Sequence, residues 1–379
     1  MVTVVKTLFK TIFNAGYCMG CKKGTFEQIY ARISCFKYFR IIVFSKPDIL
    51  MTGKNTLFTA LLVLFFSYLA YGQDPHFSQF YANPLYLNPA FAGADKCPRF
   101  NMNFRNQYPL ANAGIYRTFS ASYDQYVDGM NGGLGFLAMR DDAGNGTLSL
   151  TEVSGIYSYH LEVTRKFSVM TGFQATFRQR QLNWGNFTFP DMIDDFFGFV
   201  KSTAEVAPGN NVNQHLDLSV GMLGFTEKWY LGAVLHHLTE PNEAFFSSNK
   251  LPMKFTVHGG ASIPLGKKRL LNSTQNLLIP HFVYQTQGGA NQFTGGISFS
   301  REAISGGLAF RQGSFNPDAL IVLVGFAPPN VPFRFGISYD YTVSALTNSL
   351  GGATEISLAY QFPCRVKKRR VQAIKCPRF

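Results

Sequence analysis

From Pro98 to Phe362 this chain of 379 residues alternates apolar and polar side chains at period two, run after run, with turn residues between the runs. Successive strand residues point to opposite faces, so this alternation commits the chain to β-structure with one apolar and one polar face. Between 153 and 163, Val153, Gly155, Tyr157, Tyr159, Leu161 and Val163 share one face. Ser154, Ser158, His160 and Glu162 share the other with Ile156. Phe333, Phe335, Ile337, Tyr339 and Tyr341 oppose Arg334, Gly336, Ser338, Asp340 and Thr342 in the same way. No stretch here sustains a 3.6-residue stripe, so the fold class is all-β. About fourteen strands are expected, near 98–107, 115–126, 132–142, 147–163, 166–182, 214–225, 227–238, 252–264, 276–287, 291–301, 303–312, 318–327, 331–342 and 353–362.

A soluble β-sandwich shares that periodicity, and three features favour a transmembrane antiparallel β-barrel instead. The runs reach the length, about ten residues, that a tilted strand needs to cross a bilayer. The apolar face draws on 38 Phe and 18 Tyr, many near strand ends where aromatic girdles stand. The last run ends on an aromatic, Phe362. Closure also removes the open edges that so large a sheet would expose. Short joints such as Arg165-Lys166 alternate with long ones such as Asn183–Asn213 and His237–Leu251, as turns and loops do on the two sides of a membrane barrel.

Ahead of the strands, Lys54, an apolar run from Leu57 to Tyr71, and Ala70-Tyr71-Gly72 form the three parts of a secretory signal peptide. The apolar run is shorter than the roughly 20 residues of a transmembrane helix. Residues 51–72 are therefore the signal peptide, and cleavage is expected between Gly72 and Gln73. A signal peptide acts at the amino terminus, so residues 1–50 are an upstream extension, with Met51 the true initiator. Residues 73–97 are apolar, aromatic and interrupted by prolines, which predicts an extended segment docked on the barrel.

The run Asp74-Pro75-x-Phe77-Ser78-Gln79-Phe80-Tyr81, followed by Pro84-Leu-Tyr-Leu-Asn88-Pro89-Ala-Phe91-Ala-Gly93, resembles the start of mature PorP/SprF family proteins of the type IX secretion and gliding apparatus of the Bacteroidetes. His237-Leu-Thr-Glu-Pro241-Asn and the final Cys376-Pro-Arg-Phe379 agree with it. The resemblance implies an outer-membrane barrel that helps particular exported proteins reach or attach to the cell surface, by contacts rather than chemistry. Its expected partners are outer-membrane lipid, periplasmic components of the apparatus and a secreted surface protein. Phe77, Phe80, Tyr81, Asn88, Pro89 and Phe91 are candidate docking residues on this reading. A passive porin-like channel and a secreted β-sandwich adhesin are the alternatives.

The net charge of +13 would invite nucleic acid as a partner, but its distribution argues against that. Residues 1–50 carry eight Lys/Arg against two acids, residues 363–379 carry seven against none, and the body between is neutral. The tail 363–379, with Arg365, Lys367, Lys368, Arg369, Arg370, Arg378 and Phe379, becomes a candidate periplasmic docking element. An even strand number puts it on the side of the barrel's own amino-terminal end. The same parity lets Cys97 pair with Cys364 or Cys376 across the seam, leaving one thiol of the three over.

No residue pattern announces catalysis, a cofactor or a metal. Cys18-x-x-Cys21 lacks a second ligand pair. Adjacent His236 and His237 point to opposite strand faces, so with Glu240 they mark the point where a strand gives way to a loop. Asp191, Asp194 and Asp195 lack the regular spacing of a calcium loop and are read as a solvated loop. Asn145-Gly-Thr147, Asn186-Phe-Thr188 and Asn272-Ser-Thr274 match an acceptor pattern for glycosylation, but are read as turn chemistry.

Overall fold

The computed structural model describes residues 74–110, 115–194, 196–246, 248–266, 276–314, 316–329, 331–343 and 351–364. The signal peptide, the upstream extension, Asp195, Asn272, Cys376 and the basic tail from Arg365 to Phe379 lie outside the described residues.

Fourteen antiparallel strands close into a barrel. They are β1 (Arg99–Gln107), β2 (Tyr116–Val127), β3 (Gly132–Ala143), β4 (Leu148–Glu162), β5 (Ser168–Leu182), β6 (Val212–Phe225) and β7 (Trp229–His236). There follow β8 (Lys254–Ala261, continued past Ser262 by Ile263–Leu265), β9 (Asn276–Gln287), β10 (Ala290–Arg301), β11 (Ile304–Gly313), β12 (Pro317–Phe326), β13 (Phe333–Thr342) and β14 (Ala353–Gln361). Each pairs with its sequence neighbour, and β1 pairs with β14 from Arg99 opposite Gln361 to Gln107 opposite Ala353. Every strand thus has a neighbour on both sides and the sheet has no open edge, which a hydrocarbon surrounding demands.

The alternation seen in the sequence is the alternation between lipid and lumen. Phe173, Leu218, Met222, Ile297, Leu308, Val322 and Val324 stand on the outer face, while Thr176, Ser219, Ser298, Ser338 and Ser357 are buried inside. Aromatic rings crowd both rims: Trp229, Phe326, Phe333 and Phe362 at one, Tyr116, Tyr339 and Tyr341 at the other. The two long connections, 183–211 and 237–253, leave the same end of the barrel. The opposite end carries tight turns such as Asp128–Met130 and the link at Glu302, whose backbone is left-handed with φ 54°. The alternation of long and short is not strict, because Gly288 and Gly289 make a tight turn at the loop end. Long loops belong outside and short turns in the periplasm.

Residues 74–97 depart from expectation in two ways. They are not extended, and they lie inside the barrel rather than on it. Their backbone forms a 3-10 turn (Phe80–Ala82), one helical turn (Pro84–Leu87) and a second 3-10 turn (Pro89–Phe91). Pro84 and Pro89 each open a turn, where the missing N–H is not needed and the fixed φ helps. A strand in the lumen would have no partner for its backbone groups. Turns satisfy them locally, as in Leu87 N–H to Asn83 O at 3.1 Å and Ala92 N–H to Pro89 O at 3.2 Å.

Candidate functional site

Distant parts of the chain converge in the lumen, and residues 74–97 fill it as a plug. Phe80, Tyr81, Leu85, Leu87, Ala90 and Phe91 pack against inward-facing Leu137, Ile156, Met170, Leu223, Phe225, Tyr230 and Val283. Phe91 meets the ring of Tyr230 at 5.9 Å between centroids, and Phe80 meets His281 at 5.5 Å. Full burial of such a side chain contributes about 1.5–3 kcal/mol. The plug is to this barrel what a hydrophobic core is to a soluble domain.

Glycines on the wall let plug and barrel approach closely. A Cβ at Gly172 would fall 2.2 Å from the backbone nitrogen of Ala90, and one at Gly133 2.0 Å from the carbonyl oxygen of Ala92.

Three polar locks fasten the plug. Near the loop end, Ser78 Oγ donates to Asp340 at 2.6 Å and accepts from Arg105 at 2.8 Å and Arg311 at 3.0 Å. The backbone N–H groups of Ser78 and Gln79 donate to the two oxygens of Glu355 at 2.7 and 3.0 Å. Arg105 pairs with Asp340 at 2.9 Å and with Glu355 at 3.1 Å, all three buried. Across the lumen, Asp74 takes a bond from His237 Nε2 at 2.5 Å and an ion pair from Arg178 at 3.5 Å. Its N–H donates to Gln287 at 3.1 Å. His237 Nδ1 meets Asp217 at 2.6 Å, so the imidazole sits between two carboxylates. At the turn end, Gly93 N–H donates to Asp124 at 2.9 Å, and Arg99 joins Asp124 to Asp95.

His237 lies just beyond β7. Burial works against its charge, but Asp74 and Asp217 outweigh burial and raise it from 6.5 to about 9. Burial likewise works against the Asp74 carboxylate, but His237, Arg178 and Lys254 prevail and hold it well below the usual range. The pair is an ionised latch.

Every plug residue expected to dock a partner is covered by the chain's own barrel. Phe77, Phe80, Tyr81, Pro89 and Phe91 are buried, and Asn88 is fully so. Asn88 is a clasp: its Nδ2 donates to Met222 O at 3.1 Å and meets His258 Nε2 at 3.0 Å, while its Oδ1 caps Ala90 N–H at 2.9 Å. These side chains therefore hold the plug, and no surface open to another protein includes them. Cys97 and Cys364 form a disulfide at the seam, with Cα atoms 4.6 Å apart. His236, His237 and Glu240 form no three-ligand cluster for a metal ion, nor do any other His, Cys, Asp or Glu side chains among the described residues. Asp191 braces its loop by accepting from Thr203 Oγ1 and Ala204 N–H, and Asp194 pairs with Lys201 at 3.1 Å. Sequence reasoning missed Arg105, Arg178 and Arg311 as locks.

A profile of the family described as type IX secretion system membrane protein PorP/SprF matches residues 69–360. No curated protein sequence matches the chain. Among solved structures, the Ralstonia pickettii toluene transporter TbuX is similar with a TM-score of 0.43 and 11% identity, over 74% of this chain and 93% of that one. The monoaromatic hydrocarbon channel TodX, as a deltaS2 mutant, gives 0.42 and 10%, over 74% and 94%. The monoaromatic hydrocarbon channel CymD gives 0.39 and 12%, over 74% and 93%.

Proposed function

Because the chain belongs to the type IX secretion system membrane proteins of the PorP/SprF family, we propose that it assists export or surface attachment of specific secreted proteins, through contacts at its two mouths rather than through chemistry or solute flow. It is an outer-membrane barrel. The observation that carries the reading is the filled lumen: a fourteen-stranded barrel lies between the roughly eight strands that side chains fill and the roughly 16 to 18 that leave a channel, and residues 74–97 occupy its lumen with buried rings and three ionic or polar locks. The loops at one mouth face a secreted surface protein. At the other, the disulfide-tied chain end at Cys364 leads into the basic tail, which would dock an acidic surface of the periplasmic apparatus.

Two measurements test this. Purified protein in planar bilayers should show no steady large conductance; a steady porin-like current would return the reading to a diffusion channel. In cells lacking the gene, a copy ending at Cys364 should insert but fail to restore surface delivery of the secreted protein it serves. Full restoration would remove the tail from the mechanism.

A further inference from the structure

We infer that the amino terminus of the processed chain is presented at the cell-surface mouth of the barrel, so that everything ahead of the plug must be cut away before the barrel closes around it. The inference rests on the outer-membrane reading above and on the direction in which the plug runs.

The plug runs from the loop end of the barrel to its turn end. Asp74 sits among residues at the loop end of the barrel: His237 beyond β7, Lys254 at the start of β8 and Gln287 at the end of β9. Ser78 meets Asp340 and Glu355, each a few residues from the loop end of its strand. Asn88 lies against Met222, three residues from the turn end of β6, and against His258 in the middle of β8. Ala92 O accepts from Ser158 Oγ, close to the turn end of β4, and Gly93 reaches Asp124 near the turn end of β2. The plug leaves through Cys97, beside Cys364. Its carboxyl end is therefore periplasmic and its amino end lies under the loops.

Beyond Asp74 there is a partly open cavity of about 160 Å³, lined by Asp141, Arg178, Arg180, Glu243 and Lys250. With liquid water occupying about 30 Å³ per molecule, it holds roughly five waters or a chain end of similar bulk.

A leader engaged by the export machinery lies on the periplasmic side of the outer membrane. To reach the described structure uncut, it would have to run from the loop mouth back through a lumen already filled. Hydrolysis of the bond after Gly72 removes the conflict. One water is consumed, a carboxylate stays on the leader, and an ammonium forms on Gln73. The plug then carries a free end, and strands can close around it.

The test places a short epitope at three positions in separate full-length chains: between Gln73 and Asp74, between Pro208 and Gly209 in the long connection, and after Phe379. Intact cells should bind antibody at the first two, and the tail epitope should be reached only after permeabilisation. A surface-labelled loop epitope together with a hidden amino-terminal one would overturn the inference while leaving the barrel's orientation standing. A hidden loop epitope would overturn both. Should the insertion disturb folding, Gln73→Cys in a Cys376→Ser background gives the same readout with a membrane-impermeant maleimide: label from outside supports the inference, and protection until detergent is added overturns it. In a pulse-chase, the heat-modifiable folded species should never carry the leader; a heat-modifiable precursor would disprove the order of events.

Discussion

His237 shows how much one residue can be asked to do. Its backbone is left-handed, with φ 61°, a conformation that costs a non-glycine residue about 1–2 kcal/mol. The turn aims the imidazole between Asp74 and Asp217, and the charge it keeps there secures the plug's free end. The pH dependence follows from the two shifts. A raised histidine contributes fully below its ordinary 6.5 and loses that contribution as pH climbs through about 9. A lowered Asp74 contributes above its ordinary 3.8 and loses that only as pH falls through its depressed value. Cleavage of the plug by added protease should therefore be slowest between about pH 4 and 6.5, rise as pH climbs from about 6.5 through about 9, and level off above that. His237→Gln should flatten the alkaline rise; an unchanged profile would mean that another group holds the plug's end. Nothing local in the sequence announced this latch. His236-His237 was visible as a strand end, but its partner Asp74 is 163 residues away.

At the scale of elements, the strands were legible and the plug's location was not. With β8 counted through Leu265, every strand begins and ends within about two residues of its expected place, because period-two burial against lipid is a local signal. The plug's turns follow from Pro84 and Pro89, which looked like marks of extended chain. One trace of the plug was nevertheless present. Ile156 stands among polar residues on the inward face of β4, and its reason is Leu85 and its neighbours on the other side. Leu137, Met170 and Leu223 are inward apolar residues of the same kind. A water-filled lumen would have no use for them. The contact of plug with wall at Gly172 is tight enough to test: Gly172→Leu should expel the turn at Pro89–Ala90, since overpacking costs about 1–3 kcal/mol or more. The barrel, whose outer face is untouched, should still insert and migrate as heat-modifiable, but with measurable conductance. A silent, fully plugged variant would show that the wall yields instead.

Over the whole molecule, the seam is fastened in two ways that a single experiment can separate. β1 and β14 exchange a full antiparallel ladder, and the Cys97–Cys364 bond ties their periplasmic ends across 267 residues. A loop of that size is expected to yield about 5 kcal/mol through the unfolded state. Urea unfolding in detergent should shift to lower denaturant in Cys97→Ser/Cys364→Ser, with the plug still protected at neutral pH by its locks. Simultaneous loss of plug protection would show that the bond, rather than the ladder, holds the seam. The plug also bears on the timing of assembly. Ser78 and Gln79 emerge from the ribosome long before Glu355, from which they are separated by 277 and 276 residues, yet that carboxylate receives both their N–H groups. Contacts of such sequence separation form late and slowly. The first segment of the mature chain must wait for the last strand, so sealing the lumen and closing the wall are one event, and a nascent barrel short of β14 has neither.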